Sequence, residues 1–396
     1  MGVTFCGAAN CYTPCMPLYP RVNRFDWTGV FSAEFTLDSF QRRCQQLAEI
    51  LLARQWSCLI AHDTRFMAEH FARYAFYSLA QAGVRVSYCP TPAPFPAVEL
   101  ALDQRRSDTA MIITAGNRPF WYNGITVLAP LDESPLLNEP TAEPSTVALP
   151  FPPPALDTSE QTQIDLRKPY ITQLADAVDM EMIRRASLTV FVDPMNGATS
   201  GYIPAALGEG GQTKAIEINR ELDPLFGRQP PQPSEVGLQR LRKLVRESDS
   251  HLGVALSADG RAISVADHVG DVVSPLDLTL LLASNLSSHS RQRGAIVVPA
   301  PPENTPDVQP QIRAWEEATG LKIELSSDPA ARIAELLRQD RNGLLVGTTA
   351  AGEITLGRYS ATPDATLVAL VLIECVARSG NRLRGMLDEM KGKGKA

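Results

Sequence analysis

Short apolar runs alternate along this chain with longer stretches whose apolar positions recur at helical spacing, and that alternation restricts the fold more than any other feature. Residues 58–61 and Thr109–Ile113 are continuous apolar runs, the pattern of strands buried on both faces. Around them, residues 35–52, 67–81 and 95–104 predict helices, and 84–88 predicts a further strand. The pattern resumes with a helix over 171–185, a strand over 188–192, a turn at 193–197 and a strand–helix passage through 215–245. Strands at 253–256 and 263–266 and a helix from Pro275 follow. A third round opens at 294–299 and closes with a helix over 365–378. The fold class is therefore α/β, with mixed or parallel sheets covered by helices.

The 396 residues exceed the roughly 250–300 at which a single core stops growing, so several units are expected. Residues 129–169 carry prolines at 130, 135, 140, 144, 150, 152, 153, 154 and 169 among Glu, Ser and Thr, a composition that does not order itself. They divide the chain into a first unit at 1–128, a linker or surface loop at 129–169, a second unit at 170–288, a third at 289–390 and a basic tail at 391–396. A second proline-rich break at 299–310 lies inside the third unit.

A net charge of −7 argues against a nucleic-acid partner. The longest apolar runs, such as 366–375, fall short of the roughly 20 residues of a membrane helix, and no leader pattern opens the chain, so no membrane partner and a cytoplasmic location are expected. Seven cysteines without a leader favour reduced thiols. Cys6, Cys11 and Cys15 cluster and leave a cysteine-ligated metal or redox role as one alternative, although the spacing fits no zinc or iron–sulfur pattern.

Three passages together resemble the phosphohexomutase (phosphoglucomutase/phosphomannomutase) family. The first holds Trp27-Thr-Gly-Val30 with Glu34-Phe-Thr36, resembling an opening loop and first helix, then Asp63-Thr-Arg-Phe66, Pro90-Thr-Pro-Ala-Pro94, and Ile113-Thr-Ala-Gly-Asn-Arg-Pro119 with Tyr122-Asn-Gly124. The second holds Val192-Asp-Pro-Met-Asn-Gly197, Glu217-Ile-Asn219, Asp223-Pro-Leu-Phe226 and Pro233, continuing through 252–282. The third runs over 346–380 and includes Arg358 and Arg378-Ser-Gly380. The resemblance implies three consecutive α/β/α domains with mixed sheets, and a fourth, phosphate-binding domain that is not matched before Ala396.

It also implies a chemistry whose parts this sequence alters. Phosphoryl transfer between two sugar hydroxyls needs a nucleophilic oxygen, a divalent cation and positioned bases. The family's nucleophilic serine lies in a Thr-Ala-Ser-His-Asn-Pro loop; the matching stretch is Thr114-Ala-Gly116-Asn117-Arg118-Pro119, so the serine position is Gly116 and the histidine position Asn117. The family's metal loop, Asp-Gly-Asp-Ala-Asp-Arg, reads Ser257-Ala258-Asp259-Gly260-Arg261-Ala262, one carboxylate of three. No metal is expected there; Arg261 is expected to pair with Asp259 in the space a cation would fill. The sugar loop Gly-Glu-Glu-Ser-Gly reads Gly347-Thr348-Thr349-Ala350-Ala351-Gly352, without either acid.

The expectation is a pseudoenzyme with a binding, regulatory or scaffolding role. Its partner is a sugar phosphate, or a protein, including a second copy. Arg65, Thr114, Asn117, Arg118, Thr348, Thr349 and Arg358 are the candidate ligand-binding residues. The alternative is a phosphohexomutase with residual activity, using Mg2+ and Thr114 as phosphate acceptor. Beside these stand plainer readings: an Asp63–Arg65 ion pair that pins a loop, Asp193–Gly197 and Tyr122–Gly124 as tight turns, and His62, His251 and His268 as surface or loop residues.

Overall fold

A computed structural model describes residues 23–130, 150–153, 162–301, 308–380 and 382–391. The first unit contains β1 (Asn23–Val30), α1 (Leu37–Arg54), β2 (Cys58–His62), α2 (Ala68–Gln81), β3 (Val86–Tyr88), α3 (Phe95–Asp103), β4 (Thr109–Ile113) and β5 (Tyr122–Ala129). Its sheet runs β1-β5-β4-β2-β3, with β2 parallel to β3 and β4, and β5 antiparallel to β4 and β1. Helix α1 opens on a capping box in which Thr36 and Ser39 satisfy each other's backbone N–H.

Two expectations are corrected here. Tyr122-Asn123-Gly124 is not a tight turn but the start of β5, with Gly124 opposite Thr28 and Asn123 opposite Gly29. Asn-Gly carries a strong turn propensity, yet pairing with a neighbouring strand holds it extended. The passage at Trp27–Val30 is strand β1 rather than loop, for the same reason.

The second unit holds α4 (Arg167–Asp176), α5 (Met180–Arg185), β6 (Thr189–Asp193), α6 (Tyr202–Leu207), β7 (Lys214–Glu217), α7 (Gln239–Glu247), β8 (Leu252–Leu256) and β9 (Ile263–Asp267). Its sheet runs β7-β6-β8-β9, parallel except for β8–β9. The single helix expected over 171–185 is two, because Asp179 caps a new one by accepting from Met182 N–H at 2.9 Å. The helix α8 (Pro275–Ser288), expected as the last element of the second unit, packs instead on strands of the third sheet, where Thr279 meets Thr348. With it the third unit holds β10 (Ala295–Pro299), α9 (Gln309–Thr319), β11 (Ile323–Ser326), α10 (Pro329–Gln339), β12 (Leu344–Thr348), β13 (Ile354–Thr355), α11 (Ala365–Ser379) and α12 (Leu383–Met390), with sheet order β11-β10-β12-β13.

The described ends of the proline-rich stretch are docked rather than free. Phe151 packs on Phe71 with ring centroids 4.9 Å apart. Thr162 and Ile164 bond to Tyr88 at the β3 edge, and Ile164 and Leu166 are buried. These few apolar residues find a sheet edge and a core to join, which composition alone does not reveal.

Helix α11 is apolar almost all round, as fits a helix packed on several sides. Its N-cap Asp364 also accepts from the Tyr170 hydroxyl at 2.6 Å, tying α4 to α11 inside a core cluster shared by all three units. Among the described residues no helix is long and apolar enough to cross a membrane.

Candidate functional site

The loops after β3 and β8, the β12–β13 turn and the start of α11 converge on residues 257–262. Phe95 N–H donates to the Asp259 carbonyl at 2.8 Å, Ala365 N–H to the Gly260 carbonyl at 2.9 Å, and Ile263 N–H to the Gly352 carbonyl at 3.0 Å. One short loop therefore touches all three units. Its tightness depends on Gly197, where an added Cβ would lie 2.2 Å from Ala258 Cα.

On the first unit, Asp63 and Arg65 form a buried pair. Arg65 donates from Nη1 to the carbonyls of Pro119 (2.9 Å) and Tyr122 (3.1 Å), and from Nη2 to those of Gly116 and Arg118 (both 2.7 Å). With Nε on Asp63 at 3.2 Å, every side-chain N–H of Arg65 has an acceptor. It holds the 116–122 loop in shape. Thr114, buried, donates from Oγ1 to Asp63 Oδ2 at 2.7 Å and accepts from Gly116 N–H at 3.0 Å.

Gly116 has φ +54°, a left-handed backbone. A Cβ there would lie 3.4 Å from Arg261 Nη2, 3.8 Å from Arg24 Nη2 and 3.9 Å from Asp259 Oδ2. The direction in which a side chain at 116 would leave the backbone is thus met by two guanidinium groups, each over the Phe95 ring at 5.2 Å. The ion pair expected between Arg261 and Asp259 is present: Arg261 donates from Nε to Oδ2 at 2.9 Å, while Ser257 Oγ donates to Oδ1 at 2.6 Å. Nη1 of Arg261 reaches Glu353 Oε1 at 3.2 Å. Burial pushes Asp259 up to about 6, against the Ser257 hydrogen bond, and burial raises Glu353 as well.

The remaining sequence-predicted residues scatter. Asn117 is half-buried beside Gly116, and its Oδ1 is buried without a partner. Arg118 is exposed, its guanidinium 5.6 Å from the Tyr122 ring. Thr348 is buried and shares a 2.6 Å hydrogen bond with Thr279 of α8, away from solvent. Thr349 closes the turn to Gly352 and Glu353, and Arg358 is exposed. His62 is not a surface residue: it is 3% exposed, at the end of the fully buried β2. Cys6, Cys11 and Cys15 lie outside the described residues. Among the described residues no three His, Cys, Asp or Glu side chains gather as a metal site.

Arg24, Phe95 and Glu353 belong to this cluster and escape a motif reading. Glu353 stands one residue past the altered sugar loop, so a signal is adjacent to it. Arg24 reaches the site from an edge strand of the sheet, which no local pattern announces.

The sequence matches phosphoglucomutase/phosphomannomutase alpha/beta/alpha domain I over residues 21–135 and domain II over residues 168–270. A phosphoglucomutase/phosphomannomutase of Thermococcus kodakarensis is 26% identical over 339 residues, covering 84% of this chain and 71% of its own length. This chain belongs to the phosphoglucomutase/phosphomannomutase family. A phosphoglucosamine mutase of Erythrobacter litoralis is 27% identical over 333 residues, covering 81% of this chain and 69% of its own. In fold, a Thermus thermophilus protein assigned as a phosphomannomutase superposes with a TM-score of 0.80 at 21% identity, covering 93% of this chain and 82% of its own. A Burkholderia thailandensis member of the phosphoglucomutase/phosphomannomutase family gives 0.70 at 19%, covering 92% and 78%. Residues 116, 257 and 261 lie together around Asp259.

Proposed function

We propose that this family member is non-catalytic, a cytoplasmic protein that binds a sugar phosphate without passing its phosphoryl group through the protein. The observation that carries this reading is the surroundings of Gly116: no hydroxyl is present there to accept phosphate, and Arg261 Nη2 stands 3.4 Å from where a Cβ would be. The donor set at 257–261 also does not fit a divalent cation. Both oxygens of Asp259 are taken by Ser257 and Arg261, and the guanidinium nitrogens beside them repel a metal. Arg118, exposed two residues after Gly116, is a cation that an incoming phosphate would meet.

The rival is mutase activity through Thr114, whose hydroxyl already donates to a carboxylate in the manner of an activated nucleophile. Its 4% exposure speaks against access. The test is intact-mass analysis and peptide mapping after incubation with glucose 1,6-bisphosphate and Mg2+, beside coupled assays on glucose 1-phosphate, mannose 1-phosphate and glucosamine 1-phosphate. Unmodified protein without turnover, together with a melting-temperature rise on a sugar phosphate that Mg2+ does not alter, is expected. A phosphorylated Thr114 or measurable turnover establishes the rival instead. The absence of both turnover and a thermal shift overturns the sugar-phosphate reading.

A further inference from the structure

Where β1 leaves the first sheet and β5 enters it, the protein carries apolar side chains that its core does not use. Trp121 and Phe66 are 50% and 52% exposed, and Leu222 of the second unit is 52% exposed. They form a connected ridge. The Trp121 ring lies edge-on to Phe120 at 4.9 Å, and its carbonyl accepts from Phe31 N–H at 2.9 Å. The Phe31 ring in turn meets Phe66 edge-on at 5.5 Å, and Phe66 and Leu222 share one wall of a surface cavity. Half-exposed side chains of this size leave on the order of 300 Å² of apolar surface, the scale of the largest patch on a typical monomer.

The ridge is held rigidly and flanked by opposite charges. Arg65 binds four carbonyls of the loop that presents Phe120 and Trp121, and Asn123 Nδ2 donates to the Phe66 carbonyl at 3.0 Å. Anchors fixed in advance lose little freedom when a partner arrives. Successive N–H groups along a strand point to opposite sides. Phe31 N–H faces β5, so Val30 N–H faces outward, where Glu34 Oε2 takes it at 2.9 Å. The turn bearing Glu34 lies close on β1, since an added Cβ at Gly29 would be 2.7 Å from Glu34 Cβ. Glu34 therefore stands on the outer side of the ridge, and Arg118, its guanidinium 5.6 Å from the Tyr122 ring of β5, on the other. Both are exposed, and among the described residues neither has an ion-pair partner.

We propose that this ridge is the centre of an interface between two copies of this chain related by a two-fold axis, with Trp121 and Phe66 packed across it and Glu34 of each copy meeting Arg118 of the other. A two-fold contact presents one patch to itself, so the patch must carry its own complement. An apolar centre with an acid on one side and a base on the other does so. A stable interface buries about 800 Å² on each copy, of which the ridge supplies the desolvated centre and the polar surface around it the rim. The five donors of Arg118 leave some for an anion when others pair with a carboxylate. The interface stands whether or not the protein binds a sugar phosphate.

The test is sedimentation velocity on the full chain over a concentration series. A species with the mass of two copies is expected at high concentration, dissociating on dilution. Trp121→Ser is expected to raise the dissociation constant about 10-fold or more, the loss of one central aromatic anchor. Glu34→Lys and Arg118→Glu each set like charges against one another across the axis, so each alone should weaken the dimer. An equimolar mixture of those two variants should restore it, because both contacts of the mixed pair then join opposite charges. A structural defect within either copy would not be repaired by mixing. All three side chains are exposed, so melting temperatures should stay within a few degrees of the parent chain. A monomer at every concentration, a dimer indifferent to Trp121→Ser, or a mixture no more associated than either charge variant alone overturns the assignment.

Discussion

Residue 116 combines two constraints that pull apart. Its left-handed backbone favours glycine, by about 1–2 kcal/mol over other residues, yet the contacts a Cβ would make, at 3.4 Å and beyond, are ordinary. Gly116→Ser is therefore expected to fold, at a cost of about 1 kcal/mol in chemical denaturation. It is also expected to stay unphosphorylated when incubated with glucose 1,6-bisphosphate and Mg2+, because the restored hydroxyl faces Arg261 rather than a metal. Phosphoserine at 116 by mass spectrometry would show that a single missing hydroxymethyl group separates this chain from its relatives. Arg261 is the costlier position. Its removal leaves the buried Asp259 and the half-buried Glu353 without their shared cation, so Arg261→Ala should destabilise by about 3 kcal/mol. A change below about 1 kcal/mol would mean that the pair is solvated and that the cluster is not closed. Of this cluster, Gly116, Asp259 and Arg261 are legible as sequence because each sits inside a motif. Arg24 and Phe95 are not, because their place depends on how β1 and α3 meet the second unit.

Among the elements, strands are legible where burial alone defines them. Thr109–Ile113 is one apolar run and forms β4 over the same residues. Tyr122–Gly124 is not, because a local turn preference there yields to pairing with β1. Helix α3 shows a further property invisible to periodicity. Glu99 and Asp103 are one turn apart, and Asp103 is clasped by Arg341 of the third unit at 2.7 Å through both carboxylate oxygens. Burial, with Asp103 beside it, pushes Glu99 up to about 8. In the unfolded chain Glu99 ionises near its ordinary value of 4.5. Between those two values the folded form holds the proton that the unfolded form has released, so stability falls as pH rises through this window and levels off above it. Asp259 and Asp364, each pushed by burial to about 6, add to the fall at the lower end. His62, held by burial below its ordinary 6.5, works the other way up to about that pH, so the decline in denaturation midpoints should be cleanest from about pH 7 to 8, where Glu99→Gln should flatten it. A rise in stability over about pH 7–8 in the native chain would contradict the raised Glu99.

At the scale of the molecule, the second and third units are not independent. Helix α11 follows the third sheet in sequence, yet it lies in the core cluster that also holds Tyr170, Ile183 and Tyr202 together with Leu252, Val254 and Leu256 of β8. Seven large aliphatic side chains of α11, from Leu367 to Val376, are at most 1% exposed, and each such burial contributes roughly 1.5–3 kcal/mol. Much of that gain comes from covering α4, α5 and β8, which belong to the second unit. Cutting the chain after Ser288 would strip this cover and leave Tyr170 without Asp364, its buried acceptor. A fragment ending there should fail to give a cooperative unfolding transition or a native near-ultraviolet dichroism spectrum, whereas the whole chain should unfold its second and third units together. A stably folded 1–288 fragment would instead require that the second sheet close its own core. The packing argues against that, because the residues α11 covers, Tyr170, Ile183 and Leu252 among them, would face water as one apolar surface, and a surface of that kind associates or unfolds rather than standing exposed.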